Sequence, residues 1–238
     1  MSDLFSNIDA PVAAIVTAVL VGLFTAFLVL YKLLASPKPS TTILVGLSDA
    51  GKTNIFVKLT SKIEKPPTYS SILENTKHID VKGNIKKIVD YPGNDRLRKR
   101  LFEEYLKGSS IQNIVFVVDS SSFSKKARDV AELFYDIALE SSKKIPILIA
   151  CHKQDLTLAK SAQVIRTVLE KEIGLINKSR TAALKGTDGS DVKNTTLTDS
   201  GTDFKWEELA GRKIDFVPSS SNETDEFNME AIKSFVFN

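Results

Sequence analysis

A single cysteine, Cys151, occurs among 238 residues, which excludes an internal disulfide and suits a reducing compartment. Its thiol reads as a small core side chain. No charge of one sign dominates: 32 basic and 29 acidic residues leave a net charge of +3 spread along the chain, so no basic footprint argues for nucleic acid. Internal repeats are absent. Once an apolar N-terminal run is set aside, about 200 residues remain, enough for one α/β domain with a substantial core but tight for two. Residues 1–9 carry Asp3 and Asp9 but no Lys or Arg, so the apolar run behind them lacks the basic lead of a cleaved signal peptide.

That run, Ala10 to Tyr31, has 22 residues without a charge and is rich in Val, Ala, Leu and Phe. At 1.5 Å rise per residue it reaches about 33 Å, against a hydrocarbon core of about 30 Å, so residues 10–34 are read as one transmembrane helix. Lys32 and Lys38 follow the uncharged stretch. The positive-inside bias then places everything C-terminal in the cytosol and residues 1–9 across the membrane as a short lumenal lead. The glycosylation sequons at Asn177, Asn194 and Asn222 would never meet the modifying machinery. Residues 35–40, with Pro37 and Pro39, form a short stiff linker.

Residues 41–238 alternate apolar strand-like runs with amphipathic segments. The runs are Thr42–Gly46, His78–Val81, Lys87–Asp90, Ile114–Asp119, Ile147–Cys151 and Ile214–Pro218. This order predicts βαβ units and a mostly parallel sheet with helices on both faces. Helical spacing is seen in Leu97-Leu101-Tyr105, in Val130-Leu133-Phe134-Ile137, in Val164-Ile165-Val168-Leu169 before Gly174, and in Met229–Phe237. Lys185–Asp203 has only Val192 and Leu197 as apolar residues among 19 and reads as a disordered surface loop before the last strand.

Gly46-Leu47-Ser48-Asp49-Ala50-Gly51-Lys52-Thr53 fits G-x-x-x-x-G-K-[ST] directly after an apolar strand. The glycines let successive N–H groups face phosphates, Lys52 reaches the terminal phosphates, and the Thr53 hydroxyl suits Mg²⁺. Asp90-Tyr91-Pro92-Gly93 ends the third strand, placing a carboxylate for the metal and a glycine N–H for a γ-phosphate. His152-Lys153-Gln154-Asp155 closes the fifth strand. There the Asp155 carboxylate can accept both N1–H and N2–H₂ of guanine, which adenine cannot supply, while the Lys153 stem covers the base. Ser179-Arg180-Thr181-Ala182 is read as the loop whose Thr181 and Ala182 meet the guanine oxygen.

Taken together, the span, G-L-S-D-A-G-K-T, D-Y-P-G-N-D-R-L-R, C-H-K-Q-D and the Ser/Thr-Ala element resemble the β-subunit family of the signal recognition particle receptor, over essentially Ala10 to the C-terminus. The resemblance implies a P-loop α/β fold of the Arf/Sar-like small GTPases, binding GTP or GDP with Mg²⁺. It implies a protein anchored in the endoplasmic reticulum membrane that docks the receptor α subunit as a heterodimer for co-translational targeting. By the same resemblance Gly46 to Thr53, Asp90, Gly93, Lys153, Asp155 and Ala182 carry over as site residues, with Asn54 beside Thr53. Thr68-Tyr69-Ser70-Ser71-Ile72 resembles the family's T-x-T-S-I, pointing to Ser71 as the switch I metal ligand with Ser70 as runner-up. The metal set is then Thr53, Ser71 and Asp90.

Two positions depart from the pattern. His152 stands where Asn is usual, and Asn94 stands where Gln or His orients the attacking water. Hydrolysis is expected to be slow and a partner to complete the site. The basic run Arg96, Arg98, Lys99, Arg100 reads as a solvated helix face. Alternatives that stay open are an Arf/Sar-like GTPase with another membrane-traffic partner, a membrane-tethered ATPase or nucleotide kinase, and a structural subunit with a degenerate site. Asp155→Asn separates the base readings: it is expected to weaken GTP binding by about 2–4 kcal/mol and to favour xanthosine triphosphate. Unchanged GTP affinity in a nucleotide-binding titration would sink the assignment.

Overall fold

The computed structural model describes residues 10–34, 40–61, 73–107, 111–185, 196–198, 204–209, 211–220 and 229–237. Thr68, Tyr69, Ser70 and Ser71 lie outside the described residues, as do residues 1–9 and most of 185–203. The chain divides into two units, residues 1–38 and 39–238.

In the first unit, helix α1 (Ala10–Leu34) covers the uncharged run. Its side chains are described at 15–29 and are exposed all round, Ile15, Leu20, Phe24 and Phe27 among them. Among the described residues no helix is long and apolar enough to cross a membrane. The part of α1 whose side chains are described, residues 15–29, is shorter than the roughly 20 residues a crossing takes, and the span rests on the sequence.

The second unit is a six-stranded sheet of order β2-β3-β1-β4-β5-β6. The strands are β1 (Ser40–Val45), β2 (Asn75–Val81), β3 (Asn84–Asp90), β4 (Ile111–Asp119), β5 (Ile147–His152) and β6 (Ile214–Pro218). Only the β2–β3 pair is antiparallel. Each predicted strand run falls on one of them.

Strand periodicity divides the core in two. Ile43, Val45, Phe116, Val118, Ile149 and Cys151 face helices α4 (Phe123–Glu140) and α5 (Ala162–Lys185). Leu44, Val115, Val117, Leu148 and Ala150 face α2 (Lys52–Thr60) and α6 (Glu230–Phe237). Strands covered on both faces must be apolar at successive positions, hence the continuous runs in the sequence. β2 is an edge strand with mainly exposed, polar side chains, and it joins β3 through Lys82 (φ 53°) and Gly83 (φ 85°). This is the left-handed pair of a tight hairpin, and Asp80 Oδ1 accepts from Gly83 N at 2.7 Å.

Two helical readings are refined. The Leu97-Leu101-Tyr105 segment is helical but changes winding, from a tight turn at Asp95–Leu97 through α3 (Arg98–Leu101) to a π turn at Phe102–Leu106. α5 does not stop before Gly174. It runs on to Lys185 because Gly174 lets Phe204 approach: a Cβ there would lie 3.3 Å from Phe204 N. Phe204 stacks edge-on against Trp206, which does the same with Phe134 and Phe216. Close packing offsets the modest penalty of a helical glycine.

Within 185–203, the described residues Thr196–Thr198 are fastened to the domain. Leu197 N donates to Tyr135 Oη (2.8 Å) and Asn177 Oδ1 (3.2 Å), and Asn177 Nδ2 donates to Thr198 O and Oγ1. Asn177 is buried, so its sequon is inaccessible in the folded domain whatever the compartment. Replacing 186–202 by a short Gly-Ser link is expected to cost about 1–3 kcal/mol, because the Asn177 amide loses its partners in the interior. Shortening 186–195 alone should cost only a few tenths, since closure entropy varies logarithmically with length. Equal urea midpoints for the two deletions would contradict the anchoring.

Candidate functional site

In a parallel sheet, the loops after β1, β4, β5 and β6 open at one end, and the return of β3 brings its C-terminus there too. The loop after β1 turns through Asp49 (φ 64°) and Gly51 (φ 97°) before α2 begins at Lys52. Gly51 is needed on two counts: the left-handed backbone, and the His152 ring, whose Nε2 would lie 3.0 Å from an added Cβ. Lys52 is buried, its Nζ donating to Gly46 O (3.0 Å) and Leu47 O (2.7 Å). Burial lowers its pKa to about 8, against the opposing pull of Asp90 and Asp49.

On one side of this loop Thr53 Oγ1 donates to Asp90 Oδ2 at 2.7 Å, joining the start of α2 to the end of β3. Asn75 Nδ2 donates to the same oxygen at 3.1 Å. Sequence reasoning missed Asn75. No local motif marks it, and only the register that sets Asn75 opposite Asp90 brings it in. Gly93 is pressed onto the loop so tightly that a Cβ would strike Ser48 N and Leu47 C. The next residue, Asn94, accepts from Arg96 N through its carboxamide (3.0 Å), capping the turn at Asp95–Leu97. Beyond it, Tyr105 Oη donates to Glu74 Oε2 at 2.9 Å, fastening the π turn to the residue before β2. Burial, the Glu74 hydrogen bond and nearby carboxylates push that phenol well above its ordinary pKa.

The other side is built from the loop after β5. His152 is buried, its Nδ1 3.1 Å from Ser219 Oγ. Burial first, then Lys153, lowers its pKa to about 4, so the ring is neutral near pH 7. Lys153 (φ 64°) donates to Asp49 O (2.7 Å) and Asp119 Oδ2 (2.8 Å). Burial alone would raise the Asp119 pKa, but hydrogen bonds from Lys153, Ser121 and Ser122 hold it at about 2. Gln154 N donates to Ser219 O, and its side chain to Ser120 Oγ and Lys160 O. Asp155 is exposed, and among the described residues its carboxylate takes no hydrogen bond.

Thr181 and Ala182 are not part of this cluster. They lie on α5, which descends from the site, roughly 28 Å along the axis at 1.5 Å per residue. There Thr181 Oγ1 donates to Asn177 O, and Arg180 pairs with Asp136 at 2.7 Å over the Tyr135 ring. At the strand-end side of the sheet, directly after β6, stand Ser219 and Ser220, both buried. The run Arg96–Arg100 is largely internally neutralised, with Arg98, Lys99 and Arg100 paired to Asp95, Glu103 and Glu104. Exposed helix pairs of this kind contribute little, as expected of a solvated face.

These residues fit a nucleotide and a hard divalent cation. The Lys52 ammonium lies against the Gly46–Gly51 loop, and Thr53 with Asp90 offers the all-oxygen donor set that Mg²⁺ selects. Asn54, next on α2, holds a buried carboxamide oxygen without a hydrogen-bond partner among the described residues.

A buried neutral His152 has a consequence for acid stability. The unfolded state takes up a proton below about pH 6.5 and the folded state only near pH 4, so stability present above 6.5 is lost as pH falls toward 4. The loss expected is about 3 kcal/mol. His152→Asn should remove that pH dependence, because the carboxamide does not titrate. Identical slopes of unfolding free energy between pH 7 and 4.5 in wild type and variant would refute the assignment.

A family model described as "Signal recognition particle receptor beta subunit" matches residues 37–213. The human signal recognition particle receptor subunit beta is 37% identical over 221 residues, covering 90% of this chain and 79% of the human protein. Among solved structures, the mammalian SRP receptor is similar at TM-score 0.67 and 29% identity, covering 83% of this chain and 98% of that one. A Chaetomium thermophilum SRb-GTP/SRX complex follows at TM-score 0.65 and 21% identity, covering 83% and 96%. At that identity the second likeness speaks to the fold alone. With a P-loop joined to Asp90 through Thr53, and a sheet of small-GTPase order, the chain belongs to the signal recognition particle receptor beta subunit family.

Proposed function

We propose that the domain is a guanine-nucleotide switch, held at the cytosolic face of the endoplasmic reticulum by α1, whose nucleotide-ordered surface docks the receptor α subunit. The observation that carries the guanine reading is the contrast within one loop. His152, Lys153 and Gln154 are engaged in bracing Gly51, Asp49, Asp119 and Ser219, whereas the exposed Asp155 carboxylate takes no hydrogen bond among the described residues. Two adjacent acceptor oxygens suit the two donors of guanine. In this reading Gly46 to Thr53 hold the phosphates, Thr53 and Asp90 hold Mg²⁺ with Ser71 from switch I, and Gly93 meets the γ-phosphate. Bound Mg²⁺ would neutralise phosphate charge.

Partner docking is supported by the family, whose model is described as a receptor subunit. Asn94 supports a persistent docking state, since its carboxamide is committed to the Arg96 amide and is shorter than glutamine. Hydrolysis by the full chain without a partner is therefore expected at or below about 10⁻⁴ s⁻¹. Mass spectrometry of the co-purifying small molecule tests the base: guanine nucleotide supports the switch, while adenine nucleotide or none overturns it. A single-turnover rate above about 10⁻² s⁻¹, unchanged by Asn94→Ala, overturns the persistent state.

A further inference from the structure

The end of the sheet remote from the phosphate site carries a different charge pattern. Ser40 and Thr41 at the start of β1 pair with Lys86 and Lys87 on β3, and the β2–β3 turn at Lys82 projects beyond them. Lys143 and Lys144 sit in the loop before β5, whose first residue pairs with Ile114 on one side and Ile214 on the other. Acidic groups at this end, among the described residues, are already engaged. Asp80 accepts from Gly83 N, Glu140 pairs with Lys107 at 3.7 Å, and Asp215 pairs with Lys213 at 3.4 Å. Lys82, Lys143 and Lys144 are exposed and have no ion-pair partner among the described residues. Asp49, Asp90, Asp119 and Asp155 lie at the other end, so positive charge is concentrated where the strands begin.

We propose that this end is a membrane-contacting face that rests on anionic phospholipid headgroups, with Lys82, Lys143 and Lys144 as its contacts. The inference rests on reading α1 as the anchor. Residues 35–39 separate Leu34 from Ser40. Even fully extended, five residues reach at most about 18 Å, a limit set by chain length for any orientation of the two units. Headgroup potentials decay over about 8 Å at physiological salt, so an untethered patch this small would bind weakly, whereas one held by a short tether meets the surface at high effective concentration. The tether favours lipid over a polyanion such as RNA, which would have to be recruited from solution.

The test uses the full chain in nanodiscs. Cys151 is the only native thiol and is buried, so a fluorophore on Asn84→Cys reports this end alone. Energy transfer to headgroup-labelled lipid should rise about twofold from phosphatidylcholine discs to discs with about 30 mol% phosphatidylserine, and fall back at about 0.5 M salt. Lys82→Glu with Lys143→Glu and Lys144→Glu should abolish the rise, with GTP binding retained as the folding control. Equal transfer in both lipids, or a rise that survives the triple substitution, overturns the proposal. So does protection of this end by RNA in neutral discs at physiological salt. Extraction of the chain by alkaline carbonate overturns the anchor reading and this face with it; carbonate resistance with lipid-independent transfer overturns this face alone.

Discussion

One ammonium group holds the nucleotide end of this domain in register. Lys153 spends its hydrogen bonds on the Asp49 carbonyl and the Asp119 carboxylate, so the loops after β1, β4 and β5 share one charged centre. Both Asp49 and Lys153 have positive φ without being glycine, a conformation that persists only where surrounding contacts enforce it. Here each enforces the other. His152 adds a fourth loop by reaching Ser219 while its ring lies against Gly51, and a smaller side chain would leave space at that junction. Asp119 and His152 lie at the ends of buried strands, so the phosphate loop is held from rigid elements. Such preorganisation lowers the ordering entropy of binding.

The opposite side of the phosphate loop is tied to β3, β2 and the helical segment after Gly93. Asp90 receives Thr53 and Asn75, and Glu74 receives Tyr105 from the π turn. Two consecutive residues at the start of β2 therefore report on two different places, the metal corner and the helix after Gly93. A π turn is a rare winding that is frequent at functional sites, and here it is fastened to the residue before β2.

Legibility from sequence followed the range of the forces involved. The P-loop, Asp90, Gly93 and the Lys153-Gln154-Asp155 turn stand at fixed spacings after strands, and the fold brings them to one end of the sheet; the strands were readable because double-sided burial leaves unbroken apolar runs. Thr181 and Ala182 fall on α5 and not at the strand ends, since a two-residue signal carries no periodicity and α5 was expected to end at Gly174. What extends α5 is the packing of Phe204, a contact 30 residues away in sequence that no local pattern announces. Asn75 was missed for the same reason, its role being created by strand register. Asn94 departs from the pattern in sequence, but its capping bond to Arg96 appears only once the turn is built.

The position of β1 has a bearing on how the chain is made. β1 is third in a six-strand order, flanked by β3 and β4, so the strand nearest the N-terminus can complete its hydrogen bonds only after residue 119 has been synthesised. The sheet closes only with β6, which ends at Pro218. Contacts so distant in sequence form slowly, and until they form, the apolar Ile43-Leu44-Val45 edge is an open template for misplaced pairing. For a nascent chain of this kind, the vulnerable interval spans most of translation, and early shielding of β1 is a requirement that the finished fold conceals.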